Sequence, residues 1–161
     1  MTFRLRYLTE DDCAKCRECC VFDRYDVYDT PLITEEDAQR IRLMNSDIRF
    51  TPRPFGDCGQ DAYIFDMICD GDVRICPALG SNGCILDGCR PLDCVLYPYM
   101  IVGIGQRRYA AVSDLCPVYR KLPDDLLYAE VCDNMELFAL TARRNIYVRE
   151  HDGQRLIKEI L

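Results

Sequence analysis

A run of four cysteines near the N-terminus is the part of this sequence best suited to chemistry. It reads Cys13-Ala-Lys-Cys16-Arg-Glu-Cys19-Cys20, a CxxCxxCC pattern. Thiols at positions i, i+3 and i+6 can turn toward one point in a tight loop. Structural zinc sites and the first three ligands of bacterial-type iron–sulfur sites share this spacing. Because the side chains of adjacent residues diverge, we expect Cys19 and Cys20 to face two metals or two parts of one cluster.

A second cysteine-rich stretch begins at Cys76. It reads Cys76-Pro-Ala-Leu-Gly-Ser-Asn-Gly-Cys84-Ile-Leu-Asp-Gly-Cys89-Arg90-Pro91-Leu-Asp-Cys94-Val-Leu-Tyr97-Pro98-Tyr99, and Cys116-Pro117 follows it. Taken together, the two stretches resemble the CxxCxxCC family of bacterial proteins, which carry a zinc- or iron-chelating cysteine cluster and include flagellin lysine N-methylase-like proteins. The resemblance covers about residues 10–120.

The resemblance implies a set of metal ligands and two neighbouring residues. The thiols at matching positions are Cys13, Cys16, Cys19, Cys20, Cys76, Cys84, Cys94 and Cys116. Arg90 and Tyr97 match positions beside the site. A guanidinium there would offset the negative charge of the thiolates and donate to the sulfurs, the alternative being an ordinary surface arginine. Cys89 is a further candidate ligand, whereas Cys58, Cys69 and Cys132 match no position of the pattern.

The number of matching thiols fits two kinds of metal centre. Eight thiolates suit one or two iron–sulfur clusters, or two tetrahedral zinc sites with none left over. Thiolate ligands suit both metals equally. A chain with 49% hydrophobic residues should not need two zinc ions to fold, and adjacent cysteines suit a polynuclear site. The expected cofactor is therefore an iron–sulfur cluster of the [4Fe–4S] type, with about two zinc ions as the alternative.

Composition and charge exclude several function classes. The net charge of −7 speaks against a nucleic-acid-binding surface. The single histidine, His151, leaves no basis for a Cys/His zinc finger or a His-centred triad. No stretch approaches the roughly 18 apolar residues that span a bilayer, and the N-terminus has no apolar signal region. These features predict a cytoplasmic chain, in which twelve cysteines need a role other than disulfides. Disulfides stay the alternative.

Two function classes follow from these features. The first is a metal- or cluster-binding protein that acts in electron transfer, in metal handling or as a subunit of a complex, with an acidic surface suited to a basic protein partner. A zinc-stapled interaction module is a variant of it. The second class is an enzyme resembling lysine N-methylases, but the chain leaves little room for a methyl donor and shows no glycine-rich donor motif. We therefore favour a binding protein over an enzyme.

Sequence periodicity predicts one α+β domain over residues 1–161 with a cysteine core at about 10–120. Short β-hairpins and a few helices are expected to wrap around the metal site. The predicted strands and hairpins span residues 2–9, 21–28, 63–76 (turning at Asp70-Gly71-Asp72) and 97–112. Residues 49–60 are predicted to be a loop from their proline and glycine content.

Helices are predicted at three places. Thr34 is the expected N-cap of a helix over about residues 35–45, with Ala38, Ile41, Leu43 and Met44 on its buried side. Pro91 is expected to open a short helix that carries Cys94. A long C-terminal helix is predicted from Asp124 to Arg143-Arg144 within a helical segment at about 123–161, and a strand and a short helix are expected to end the chain.

Overall fold

The computed structural model describes residues 5–22, 30–53 and 62–161. The chain divides into two units. We call Thr9–Val95 the cysteine unit, and Met1–Leu8 together with Leu96–Leu161 the sheet unit. Among the described residues there are five α-helices and four small β-sheets, so the predicted α+β class is confirmed.

The helices and strands are short. The helices are α1 (Glu10–Cys16), α2 (Glu35–Met44), α3 (Leu92–Leu96), α4 (Asp124–Asp133) and α5 (Met135–Ala142). The first eight strands are β1 (Val21–Phe22), β2 (Ile33–Thr34), β3 (Phe50–Pro52), β4 (Ala62–Phe65), β5 (Ile68–Asp70), β6 (Val73–Ile75), β7 (Leu79–Gly80) and β8 (Gly83–Cys84). The last four are β9 (Tyr99–Ile104), β10 (Arg107–Val112), β11 (Val148–Glu150) and β12 (Arg155–Glu159).

The first cysteines lie on a helix rather than in the predicted loop. Thr9 and Asp12 form a capping box, in which each side chain accepts from the backbone N–H of the other. Such a box satisfies two N–H groups that a helix start leaves without partners, and it begins α1 just before Cys13. The helix ends where Arg17 adopts a left-handed conformation, with φ of 58°. No strand occurs in residues 5–9, the described part of the predicted strand 2–9.

The helix predicted after Thr34 is confirmed as α2. Thr34 and Asp37 form its capping box, and Ala38 and Ile41 are buried. The prediction of a buried Leu43 is wrong, because this side chain is 90% exposed. Met44 is exposed as well. Ala38 and Ile41 lie on the same face of the helix, whereas Leu43 and Met44 lie on the side that faces solvent.

Three small sheets build the cysteine unit. Their strand orders are β1-β6-β5, β2-β4-β3 and β7-β8. The hairpin predicted around Asp70-Gly71-Asp72 is confirmed by the antiparallel pair β5–β6, with Gly71 at φ of 58°. The strand expected over 63–69 is instead two strands in different sheets, and β3 occupies the start of the expected loop 49–60. The remainder of that loop and of the predicted strand 21–28 lies outside the described residues.

The sheet unit contains a four-stranded sheet of order β11-β9-β10-β12. Its central hairpin confirms the prediction, with Ile104 paired to Arg107 across the turn. The end of the chain differs from the expected strand and short helix. β11 runs parallel to β9 at one edge, and β12 runs antiparallel to β10 at the other. The last two strands therefore pair with opposite edges of one sheet. Such pairing depends on residues distant in the sequence, which local periodicity does not predict.

The predicted long C-terminal helix is wrong. The segment starts at Asp124 as expected, but it breaks at Asn134 into α4 and α5. The Asn134 side-chain amide donates to the carbonyl of Glu130, and its backbone φ and ψ of −118° and 21° leave the helical region. Asparagine bonding to nearby backbone in this way competes with helix continuation. In the part of the chain that the structure describes, no helix is long and apolar enough to cross a membrane.

Candidate functional site

Pairing of two short strands places Cys20 opposite Cys76. β1 and β6 run antiparallel, with Val21 paired to Ile75. Beyond this pair, the backbone N–H of Cys76 donates to the carbonyl of Cys20 over 2.8 Å. The backbone N–H of Cys20 instead donates to the carbonyl of Arg17, also over 2.8 Å. Cys76 therefore lies at a strand end, as predicted, and directly faces the last cysteine of the N-terminal run.

The adjacent thiols of Cys19 and Cys20 lie side by side. Their sulfurs are 3.8 Å apart, so the expected divergence of the two side chains does not occur. Two thiolates on one tetrahedral zinc ion, with bonds of about 2.3 Å, would have sulfurs about 3.8 Å apart. The two thiols can therefore serve one ion as well as two.

A turn and a two-stranded hairpin bring Cys84 to the same region. The backbone N–H of Leu79 donates to the carbonyl of Cys76 over 3.0 Å, which turns the chain into β7. β7 pairs with β8, and Leu79 lies opposite Cys84. The hairpin is fixed to the end of α1, because the Arg17 guanidinium donates to the carbonyl of Ser81 over 2.7 Å.

Gly83 lies where the hairpin approaches α1. Its φ is +112°, which residues with a side chain rarely adopt. A Cβ atom at this position would lie 3.4 Å from the Cβ of Ala14, the residue after Cys13. That distance is an ordinary contact, so the positive φ rather than a lack of space favours glycine where the strand that ends at Cys84 packs against α1.

Helix α3 contributes Cys94. As predicted, Pro91 opens this helix, and the backbone N–H of Val95 donates to its carbonyl over 3.0 Å. Asp93 is buried and accepts from the backbone N–H of Leu32 over 2.9 Å. This carboxylate ties α3 to the segment before α2 and so positions Cys94. This role of Asp93 was not predicted from the sequence, in which the only signal was an acidic residue in the first turn of the predicted helix.

The pKa values of Cys19, Cys20, Cys84 and Cys94 are raised, and the charges that raise them show which groups lie near one another. Burial is the largest cause for Cys94, whose pKa lies well above the usual range, and the nearby Asp93, Cys19, Cys20 and Cys84 add to it. For Cys19 the hydrogen bond with Cys20 raises the pKa most, followed by burial. The mutual effects place Cys19, Cys20, Cys84 and Cys94 close enough for the charge of one thiolate to disfavour ionisation of the next.

Cys20 and Cys84 show the same crowding. The hydrogen bond with Cys19 lowers the pKa of Cys20, but a bond with Cys76, burial and the charges of Cys76 and Cys84 outweigh it and raise the value to about 12. Burial raises the pKa of Cys84. The positive charge of Arg90 instead lowers the pKa of Cys19 and of Cys84. Its charge therefore reaches two of the thiols, although its side chain is exposed.

Five of the predicted ligands thus come together in the cysteine unit. They are Cys19, Cys20, Cys76, Cys84 and Cys94, which we call the thiol cluster. Cys13 and Cys16 lie on α1, and Cys89 lies near Arg40, since its charge helps to raise the pKa of that guanidinium after the larger effect of Asp37. Cys116 and Tyr97 belong to the sheet unit, so their place at the site stays a prediction.

The remaining cysteines have no assigned part in the cluster. Cys69 is exposed on β5, and Cys132 is half-buried on α4 rather than fully buried as expected. Cys58 lies outside the described residues.

The thiol cluster fits a soft metal by its donor chemistry. Sulfur ligands favour zinc and iron–sulfur clusters. Across residues 5–22, 30–53 and 62–161, no three Cys, His, Asp or Glu side chains are arranged to hold one metal ion as they stand. Of the cluster, only Cys76 is fully buried, so ligation would require the partly exposed cysteine side chains to rotate toward a common point.

A buried carboxylate in the sheet unit was also missed. Glu130 is fully buried on α4 and accepts from the hydroxyls of Tyr99 and Tyr119 and from the backbone N–H of Arg6. In the sequence this residue occupies a core position between Leu127 and Val131, where a charged side chain is unusual. A charged residue at a position expected to lie in the core was therefore the feature of the sequence that could have identified Glu130.

Comparison with known proteins adds no relative. No family model, no curated protein and no solved structure matches the chain. The resemblance to the CxxCxxCC family therefore rests on the motif residues themselves and stays a prediction.

Proposed function

We propose that the chain is a metal-binding protein whose thiol cluster holds an iron–sulfur cluster, with zinc as the alternative. The observation that carries this proposal is that Cys19, Cys20, Cys76, Cys84 and Cys94, from four separate elements, lie near enough for their charges to act on one another. These elements are the turn after α1, the end of β6, strand β8 and helix α3. Sulfur donors supplied from four separate elements at one place are the kind of ligands that a soft metal favours.

The thiols would act as thiolate ligands, and Arg90 would offset part of their negative charge. A bound iron–sulfur cluster supplies one-electron transfer, with a potential that depends on net charge and on hydrogen bonds to sulfur. Metal binding would displace protons from the thiols, and the raised pKa values of Cys19 and Cys94 keep these two protonated until a metal binds. The backbone positions of Cys20 and Cys76 are already fixed by their shared hydrogen bond.

The cellular role we propose is electron transfer, metal handling or service as a subunit of a complex in the cytoplasm. A net charge of −7 favours docking to a partner with a basic surface and disfavours nucleic acid. A lysine N-methylase-like activity remains the enzymatic alternative from the resemblance. No side chain in the thiol cluster provides a methyl-donor site.

A structural zinc site is the second candidate, and one observation favours it. The sulfurs of Cys19 and Cys20 are 3.8 Å apart, which is the separation expected on one tetrahedral ion. The cysteine unit is also built from strands of only two to four residues, so a bound metal would contribute directly to its folding. In that case the protein would be a zinc-stapled interaction module.

Substitution of single cysteines tests the proposal. Cys94→Ser should lower the metal content per chain, because it removes a ligand from the thiol cluster. Cys132→Ser is the matched control, since Cys132 is half-buried on a helix of the sheet unit and should leave the metal content unchanged. Elemental analysis of the purified proteins measures the outcome, and circular dichroism verifies that both variants fold. Equal metal content in Cys94→Ser and wild type would refute the ligand set.

A further inference from the structure

Cys20 and Cys76 extend the β1–β6 ladder by one cross-strand pair. Val21 and Ile75 pair within the ladder, and the next residues outward are Cys20 and Cys76, joined by a backbone hydrogen bond of 2.8 Å. Directly opposed residues of a hydrogen-bonded antiparallel pair have Cα atoms about 5.5 Å apart. Disulfides most often join Cα atoms about 5.5–6 Å apart, so this Cα separation suits a disulfide, and the Cβ atoms, about 5.5 Å apart in such a pair, need to approach by about 1 Å.

The competing pair is Cys19 with Cys20, whose sulfurs are 3.8 Å apart. Adjacent Cα atoms across a trans peptide are only about 3.8 Å apart. This value lies below the roughly 4.4 Å at which ordinary disulfides begin, so a bond between neighbours would distort the peptide. Backbone geometry therefore favours the cross-strand pair even though the adjacent sulfurs are close.

We propose that Cys20 and Cys76 are an oxidation site, at which a low-molecular-weight disulfide converts the two thiols into a cross-strand disulfide. One thiolate attacks the small disulfide, forms a mixed disulfide and releases one small thiol. The second thiolate then attacks the protein sulfur, which forms the Cys20–Cys76 bond and releases the second small thiol. The two cysteines lose two electrons and two protons, and the broken S–S bond of the oxidant takes them up.

The second attack is fast relative to capture of another oxidant, because the strand pairing already holds the two residues opposite each other. Oxidation here would remove two members of the thiol cluster at once. Loss of metal on oxidation rests on the proposed function, whereas formation of the disulfide does not.

Peptide mapping after oxidation tests this inference. The full-length protein is incubated with glutathione disulfide, with and without a chelator, and the remaining thiols are alkylated. Cleavage after arginine and before aspartate releases Cys19 and Cys20 on one peptide and Cys76 and Cys84 on another. Tandem mass spectrometry then locates the link. The expected product joins Cys20 to Cys76, and it should be more abundant with the chelator if metal protects the thiols.

Two cysteine variants test whether the linked peptide depends on Cys76. Cys76→Ser should abolish the linked peptide, whereas Cys69→Ser, at an exposed cysteine of the same sheet, should retain it. The wild-type map decides the matter even if Cys76→Ser fails to fold. A dominant Cys19–Cys20 link, or only mixed disulfides with glutathione, would overturn the inference. A Cys20–Cys76 link in a protein that never contains metal would support the oxidation site and contradict the proposed function.

Discussion

The hydroxyl of Tyr99 donates a 2.7 Å hydrogen bond to the carboxylate of Glu130 inside the sheet unit. Tyr119 donates to the same carboxylate over 3.0 Å, and the backbone N–H of Arg6 donates over 2.6 Å. All three donors therefore share one acid, and Tyr99 has a second, longer contact of 3.4 Å with the carbonyl of Leu127. The rings of Tyr99 and Tyr119 also pack edge to face, with centroids 5.5 Å apart. This network joins α4, β9 and the described N-terminal residues into one core.

Replacing Glu130 should strongly destabilise the sheet unit. Glu130→Leu would remove the main acceptor of three donors, two of them buried hydroxyls, and would leave Tyr99 with only the longer bond to the Leu127 carbonyl, at a cost of about 1–3 kcal/mol for each buried group. We expect a loss of about 3 kcal/mol in the free energy of unfolding, measured by urea denaturation. Glu136→Leu is the control, because Glu136 is exposed on α5 and should change stability by less than about 0.5 kcal/mol. Equal effects of both substitutions would contradict the role of the network.

The same network predicts a loss of stability at high pH. Burial and the bond to Glu130 raise the pKa of Tyr99, and burial and the charge of Glu130 raise the pKa of Tyr119. Both tyrosines stay protonated in the folded chain while an unfolded tyrosine ionises near pH 10, so the folded state binds more protons above that pH. Their stabilising contribution is complete below about pH 10 and is lost as the pH rises further.

Each buried tyrosine should lower the free energy of unfolding by about 1.4 kcal/mol per pH unit above about pH 10. Urea denaturation at a series of pH values measures this slope. Tyr99→Phe removes one of the two groups and should reduce the slope by that amount. A slope that Tyr99→Phe leaves unchanged would show that other groups dominate.

Gly83 is expected to be intolerant of a side chain. Gly83→Ala would place a Cβ atom 3.4 Å from that of Ala14 in a backbone with φ of +112°. Such backbone strain costs about 1–3 kcal/mol. Gly71→Ala is the matched control, since Gly71 is also at positive φ, +58°, but has no atom within 4 Å of an added Cβ. The midpoint of urea unfolding should fall further for Gly83→Ala than for Gly71→Ala. Similar midpoints would contradict the close packing of β8 on α1.

Local signals in the sequence predicted several elements correctly. Thr34 followed by acidic residues predicted the start of α2, and Pro91 predicted α3. Asp70-Gly71-Asp72 predicted a hairpin. These predictions succeeded because each element depends on only a few neighbouring residues. The capping box of Thr9 and Asp12 was equally local but was overlooked beside the cysteine pattern. Pairing of β11 and β12 with opposite sheet edges depends on distant partners, and periodicity could not supply it.

The sequence predicted which cysteines are candidate ligands, but it did not predict which of them lie near one another in the fold. Cysteine spacing named the candidate ligands, whose role at a metal stays a prediction, and the position of Cys76 at a strand end followed from the predicted hairpin. The cross-strand placement of Cys20 depends on the pairing of β1 with β6, which lie far apart in the sequence. The left-handed turn at Arg17, which ends α1 before Cys19, is likewise not indicated by any residue type in the run.

The central claim is that the thiol cluster binds metal, and metal analysis of the wild-type protein tests it most directly. The chain is purified without oxygen, and iron, zinc and acid-labile sulfide are measured per chain together with the absorption spectrum. The account predicts a brown protein with iron, sulfide and broad absorption near ~400 nm, arising from sulfur-to-iron charge transfer. A colourless protein with stoichiometric zinc would select the zinc alternative. Folded protein with neither metal, even after anaerobic incubation with ferrous iron and sulfide or with zinc, would contradict the account.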